Sequence, residues 1–311
     1  MNFNEILYGV AYYDEYMPYD RIETDFKMIR DAGMNVIRIA ESTWSTWEPK
    51  EGVFDFTHLH RMLDCAAKYE LKVIVGTPTY AIPSWLAKKY PDILAVTHNG
   101  KELYGHRQNM DITNPDYLHH AQIIIEKLME QVKDYDCVIG FQLDNETKPY
   151  DTCSKYAQAK FVEYLKNEFP DIDEFNREFG LDYWSNRVDN WEDFPDVRGT
   201  INGSLGAEFD KFRRGLVTEF LTWQSNIVKE YARPDQFITH NLDFEWRGYS
   251  YGVQPANNHF EIAKEALTVA GCDIYHPTQD ELTGAEIAFG GDMTRSLKQN
   301  NYFVLETEAQ G

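Results

Sequence analysis

A chain of 311 residues, 43% hydrophobic and 26% charged, can bury one large core. Its 30 basic and 51 acidic residues give a formal charge of −21, which repels phosphate backbones, anionic membranes and anionic substrates, leaving a neutral substrate as the compatible kind. Met1–Glu5 has neither the basic nor the apolar stretch of a signal peptide, no apolar run reaches the roughly 20 residues of a membrane span, and a cytoplasmic setting is expected. Cys65, Cys137, Cys153 and Cys272 fit no metal or disulfide spacing and read as free thiols in a reducing compartment.

In chain order, Leu7–Tyr13 reads as a strand and Asp20–Ala32 as an amphipathic helix closed by Gly33. Strand Asn35–Ala40, helix His58–Tyr69 and strand Lys72–Gly76 follow. After them come a long helix, Asp116–Val132, and a fourth strand, Cys137–Leu143. Residues 150–233 read as a mostly helical insertion, with a loop over Trp184–Gly206, too long for a plain connection and expected over the mouth of the fold. Strands at Phe237–Asn241, Asp273–His276 and Tyr302–Leu305, with helices at Phe260–Val269 and Glu286–Gln299, complete the pattern. Apolar strands alternating with helices predict a parallel sheet, either a barrel or a doubly wound sheet. No glycine-rich phosphate loop follows any strand, which weakens a nucleotide-binding reading.

Several predicted strands end in polar residues, where parallel barrels keep their sites. The second ends in Arg38-Ile-Ala-Glu41, the fourth in Gln142-Leu-Asp-Asn-Glu146, the sixth in Tyr275-His276 and the last in Glu306. Arg38 and Glu41 read equally as a structural ion pair or as site residues. Glycoside cleavage needs an acid to protonate the leaving oxygen and a carboxylate across the sugar ring. Glu146 and Glu306, on separate strand ends, supply such a pair, and Asn145 can hydrogen-bond a sugar 2-hydroxyl. Glu308 shares the strand parity of Glu306. His240 and His276 could line a sugar pocket.

The motifs Arg38-Ile-Ala-Glu-Ser-Thr-Trp44, Trp47-Glu48-Pro49, Gln142-Leu-Asp-Asn-Glu146 and Leu305-Glu306 resemble glycoside hydrolase family 42, the β-galactosidases, in the expected order from Leu7 to the end of the chain. The resemblance implies a TIM-type (β/α)8 barrel, here ending after its seventh strand, and a retaining β-galactosidase acting on β-galactosides or galacto-oligosaccharides without a cofactor. An α-L-arabinopyranosidase, another retaining β-glycosidase or a truncated sugar-binding barrel are the alternatives. By motif, Glu146 is the acid/base, Glu306 the nucleophile, Asn145 the 2-hydroxyl partner and Arg107 a contact to galactose. Trp184 matches a wall of the sugar site and Tyr275 the tyrosine that bonds the nucleophile, while Arg38, Glu41 and His276 complete the expected substrate-binding set. Many relatives carry a four-cysteine zinc site near the acid/base. Here only Cys153 falls in that stretch, with Met110 where a thiol would stand, so no metal is expected. Family members continue into an eighth strand and trimerising domains, so these residues are expected to belong to a longer, homotrimeric protein.

Overall fold

The structure, a computed structural model, describes residues 4–17, 20–105, 109–199, 202–245, 252–253, 255–275 and 284–307. Arg107, His276 and Glu308 lie outside the described residues. Seven strand positions follow one another in chain order: Gly9–Ala11, Val36–Ile39, Lys72–Gly76, Val138–Gln142, Phe237–Thr239 continuing as Asn241–Glu245, Gly271–Ile274 and Phe303–Thr307. Each is parallel to the next. Spatial order equal to sequence order is singly wound and barrel-like; a doubly wound sheet would reverse direction part-way.

Helices α1 (Ile22–Asp31), α2 (Thr57–Lys68), α3 (Pro115–Val132), α4 (Lys155–Glu168), α5 (Ile172–Glu178), α6 (Gly203–Tyr231), α7 (His259–Glu265) and α8 (Ala285–Lys298) fall between the strands. Asn114 starts α3: its side chain accepts from the Asp116 and Tyr117 amides, ahead of a proline whose missing N–H costs nothing at that position. The main core gathers Phe26, Trp44, Trp47, Leu63, Ile124, Leu128, Phe141 and Leu221 between helices and strands. A second core lies within residues 153–209, around Phe161, Phe175, Phe194 and Phe209. The long α6 joins the two, giving Leu205 and Phe209 to the second core and Leu216 through Val228 to the first. It begins at Gly203, inside the stretch read as loop, because Asn202 caps it by accepting from the Leu205 amide.

Two strands depart from simple alternation, and both departures shape the mouth. The fifth breaks at His240 and resumes at Asn241, longer than its apolar run suggests. The sixth begins two residues earlier than expected, at Gly271, where a side chain would collide with Thr239 Oγ1 at 2.5 Å and Leu305 at 2.7 Å. Beside it the seventh strand slips register, so that Asp273 faces Glu306. Leu305 packs with Val36, Ile74 and Phe237, while the next residue, Glu306, bonds Arg38. Two consecutive residues thus face the interior, as a bulge allows and strict alternation forbids.

Candidate active site

Arg38 follows Val36 on the second strand with the same parity, so the strand that fills the barrel floor delivers a guanidinium into its mouth. Its Nη1 donates to Gln142 Oε1 (2.9 Å), and its Nη2 reaches Glu41 Oε1 (3.0 Å), the Tyr13 hydroxyl (3.1 Å) and Glu306 Oε1 (2.5 Å). Burial disfavours the charge, but Glu41 and Glu306 outweigh it and hold the guanidinium protonated, its pKa raised. Arg38 and Glu41 therefore form an ion pair that also carries a bond to Glu306. Tyr13, which sequence reasoning passed over, donates its hydroxyl to Glu41 Oε1 at 2.7 Å.

The fourth strand ends in a locked turn. Asp144 and Glu146 have φ of +44° and +41°, left-handed values that cost side-chain-bearing residues and that gather at functional sites. The buried Asp144 carboxylate accepts from the Thr79 hydroxyl (2.6 Å) and the Thr147 hydroxyl (2.5 Å), and its amide donates to Thr77 Oγ1 (2.6 Å). Burial pushes that carboxyl up to about 6. The Glu146 amide donates to Asn241 Oδ1 at 3.0 Å. His240, read from sequence as a possible pocket residue, is instead fully buried behind this turn, its Nδ1 bonded to Leu143 O (2.6 Å) and its Nε2 accepting from the Thr147 amide (3.3 Å). Burial holds it neutral, down to about 4.

Glu306 is held from three sides: Arg38 and Asn241 (3.4 Å) on Oε1, and the Tyr275 hydroxyl donating to Oε2 at 2.5 Å. Oxygens of Glu146, Asp273 and Glu306 all lie within 4.8 Å of one another. Asp273 is fully buried, accepts from Asn241 Nδ2 at 2.8 Å, and leaves Oδ1 without a partner. Burial first, and then Glu306 and Glu146 against Arg38, push its carboxyl well above the usual range. Sequence reasoning missed Asn241 and Asp273. Their signal was a single polar residue at the mouth end of an apolar strand, which is costly to bury unless partnered.

Trp184 sits elsewhere: it is 80% exposed, has φ of +56°, and its ring lies 5.6 Å from Tyr183. No hydrogen bond or ring contact joins it to the carboxylates among the described residues. Trp44 and Trp47 are buried, and Glu48 is a brace for their loop, accepting from the Trp44 indole and the Gly52 amide, both at 2.8 Å.

The family model described as "Beta-galactosidase", glycoside hydrolase family 42, matches residues 11–310. The chain belongs to glycoside hydrolase family 42. The β-galactosidase BgaA of Clostridium cellulovorans is 30% identical over 306 residues, covering 96% of this chain and 45% of that protein. The β-galactosidase of Thermus thermophilus is 32% identical over 322 residues, covering 96% and 48%. The solved β-galactosidase of the haloarchaeon Halorubrum lacusprofundi superposes with a TM-score of 0.85 at 25% identity, over 96% of this chain and 46% of that one. The fold is thus the TIM-type barrel of family 42, and the chain spans about half the length of the relatives it matches.

A family 42 zinc site does not fit these residues. Cys153 Sγ lies 3.6 Å from His98 Nδ1, and Cys65, Cys137 and Cys272 belong to α2, the fourth strand's approach and the sixth strand, so two of roughly four N or S ligands are present. The carboxylate trio could itself gather a cation, but Arg38 and Asn241 already supply donors to Glu306 and Asp273.

Proposed function

We propose that this chain carries the catalytic centre of a retaining β-galactosidase, with Glu306 as nucleophile and Glu146 as acid/base. The observation that carries the reading is the spacing of the pair. Oxygens of Glu146 and Glu306 within 4.8 Å fall at the short separation of about 5–5.5 Å used for retention, well below the roughly 6.5–9.5 Å that leaves room for water in inversion. The two differ in setting as the roles require. Glu306 is fixed by Arg38 and Tyr275 as an ionised carboxylate aimed into the mouth, while Glu146 stands on a rigid turn opposite.

In the first step a Glu306 oxygen bonds to the anomeric carbon as the glycosidic C–O bond breaks and Glu146 gives its proton to the departing oxygen. In the second, Glu146 takes a proton from water, the water oxygen displaces Glu306, and the sugar leaves with its original anomeric configuration. Asn145, at the same mouth, serves the 2-hydroxyl.

Glu306→Gln is expected to abolish turnover. Glu146→Ala should lose about 10²–10⁴-fold on alkyl galactosides yet keep cleavage of nitrophenyl galactosides in the first step, with azide accelerating the second. Proton NMR of the first-formed sugar should show the β anomer. An α anomer appearing first, or an active Glu306→Gln, would overturn the reading.

A further inference from the structure

One amide touches both halves of the carboxylate pair. Asn241, at the break in the fifth strand, is fully buried. Its Oδ1 accepts from the Glu146 amide at 3.0 Å, and its Nδ2 approaches Asp273 Oδ2 at 2.8 Å, Asn145 Oδ1 at 3.0 Å and Glu306 Oε1 at 3.4 Å. An amide nitrogen has two hydrogens, so the two shorter contacts take them and Glu306 receives the remainder. All four partners agree on one orientation, since oxygen can meet the Glu146 N–H and only nitrogen can meet three acceptors.

We infer that Asn241, anchored by Asp273, is the positioning residue that holds Glu146 on its strained turn and turns Asn145 so that its NH₂ faces the substrate. The inference rests on the proposed galactosidase reading and adds what makes the site rigid. Because Asn145 Oδ1 is occupied by Asn241, the group it has left for a sugar hydroxyl is its donor. The left-handed Glu146 backbone is unfavourable alone, and the bond to Asn241 Oδ1 is one of the contacts that fix it. Asp273 suits the anchor. Arg38, Glu146, Glu306 and the Tyr275 hydroxyl stand around it, and a second carboxylate beside Glu306 in a buried site keeps its proton while still accepting from Asn241 through Oδ2.

The test is kinetic and structural, on the full chain. Asn241→Ala should lower kcat/KM for nitrophenyl β-galactoside about 100-fold, as should Asn145→Ala, because a misplaced donor costs that much. The double variant should be no slower than the slower single one, and with the 2-deoxy substrate both losses should shrink to about threefold. Asp273→Asn, which can still offer an oxygen to Asn241, should stay within about threefold of the parent, whereas Asp273→Leu should behave like Asn241→Ala. Multiplicative losses in the double variant, or Asn241→Ala within threefold of the parent, would overturn the inference while leaving the galactosidase reading intact. If the parent cleaves no β-galactoside, that reading fails, and a crystal structure of Asn241→Ala decides the inference. Glu146 leaving its left-handed φ supports the clamp, and an unchanged Glu146 and carboxylate spacing refutes it.

Discussion

Asp144 has no part in bond breaking, yet it sets the turn that carries Glu146. Its carboxyl is buried and raised to about 6, against an ordinary 3.8. A folded state that binds this proton more tightly than the unfolded chain gains stability that is fully present below about pH 4 and is lost as pH rises through 6. The difference is on the order of 3 kcal/mol at most. Asp144→Asn removes the titration, so its stability relative to the parent should rise between pH 4 and 7.5, read as denaturant midpoints at both; a difference that does not change with pH would mean the threonine hydroxyls and backbone amide repay the burial of the charge. Asp144 also marks how far single residues were legible. Glu146, Asn145, Glu306 and Tyr275 stood out because each ends a strand with chemistry the reaction needs. Asn241 and Asp273 did not, because their meaning lies in contacts 32 to 96 residues away that no local pattern carries. The inward turn of Glu306 was equally hidden, since it depends on a register slip between two strands.

The elements themselves were largely readable, because apolar strands and amphipathic helices announce their period. Lys72–Gly76 was found to the residue, and α1, α2 and α3 within two residues of their ends. What the period left out is how closely elements approach. Gly76 ends the third strand where a Cβ would lie 2.7 Å from Glu41 Cβ and 2.9 Å from its backbone nitrogen. Glu41 in turn pairs with Arg38, the guanidinium that holds Glu306. A methyl group there must push the second strand's end outward, against backbone rather than a pliable side chain. Gly76→Ala is therefore expected to cost about 1–3 kcal/mol of stability and to lower kcat/KM by well over the tenfold that a small shift of Glu306 implies. Activity equal to the parent in a folded Gly76→Ala protein would show that the second and third strand ends can part without disturbing the carboxylate.

At the scale of the molecule, the first and seventh strands are the open edges of the sheet among the described residues. The first pairs with the second, and the seventh with the sixth. Between them runs a groove of about 880 Å³, lined by residues 5–11 and 301–307 with Tyr13, Met34 and Tyr275. Ile6, Tyr8, Val10 and Val304, apolar residues of the kind a core would cover, are exposed along it. Two unpaired parallel edges with an apolar lining match the place of one further strand, since neighbouring strands sit about 4.8 Å apart and a barrel closes only when its last strand pairs with its first. Open edges of this kind invite association between chains. The 311 residues on their own are accordingly predicted to aggregate or to lack activity, and a polypeptide that adds a parallel strand between Gly9–Ala11 and Phe303–Thr307 to run as a discrete species and cleave nitrophenyl galactoside. Size-exclusion chromatography with an activity assay on the eluted peak checks both arms. The site has a direct stake in the result, because Glu306 and Tyr275 border the groove and Arg38 holds Glu306 from the opposite side. A monodisperse, fully active 311-residue chain would mean that seven strands suffice to hold the carboxylate pair and that the groove is an open edge the fold tolerates.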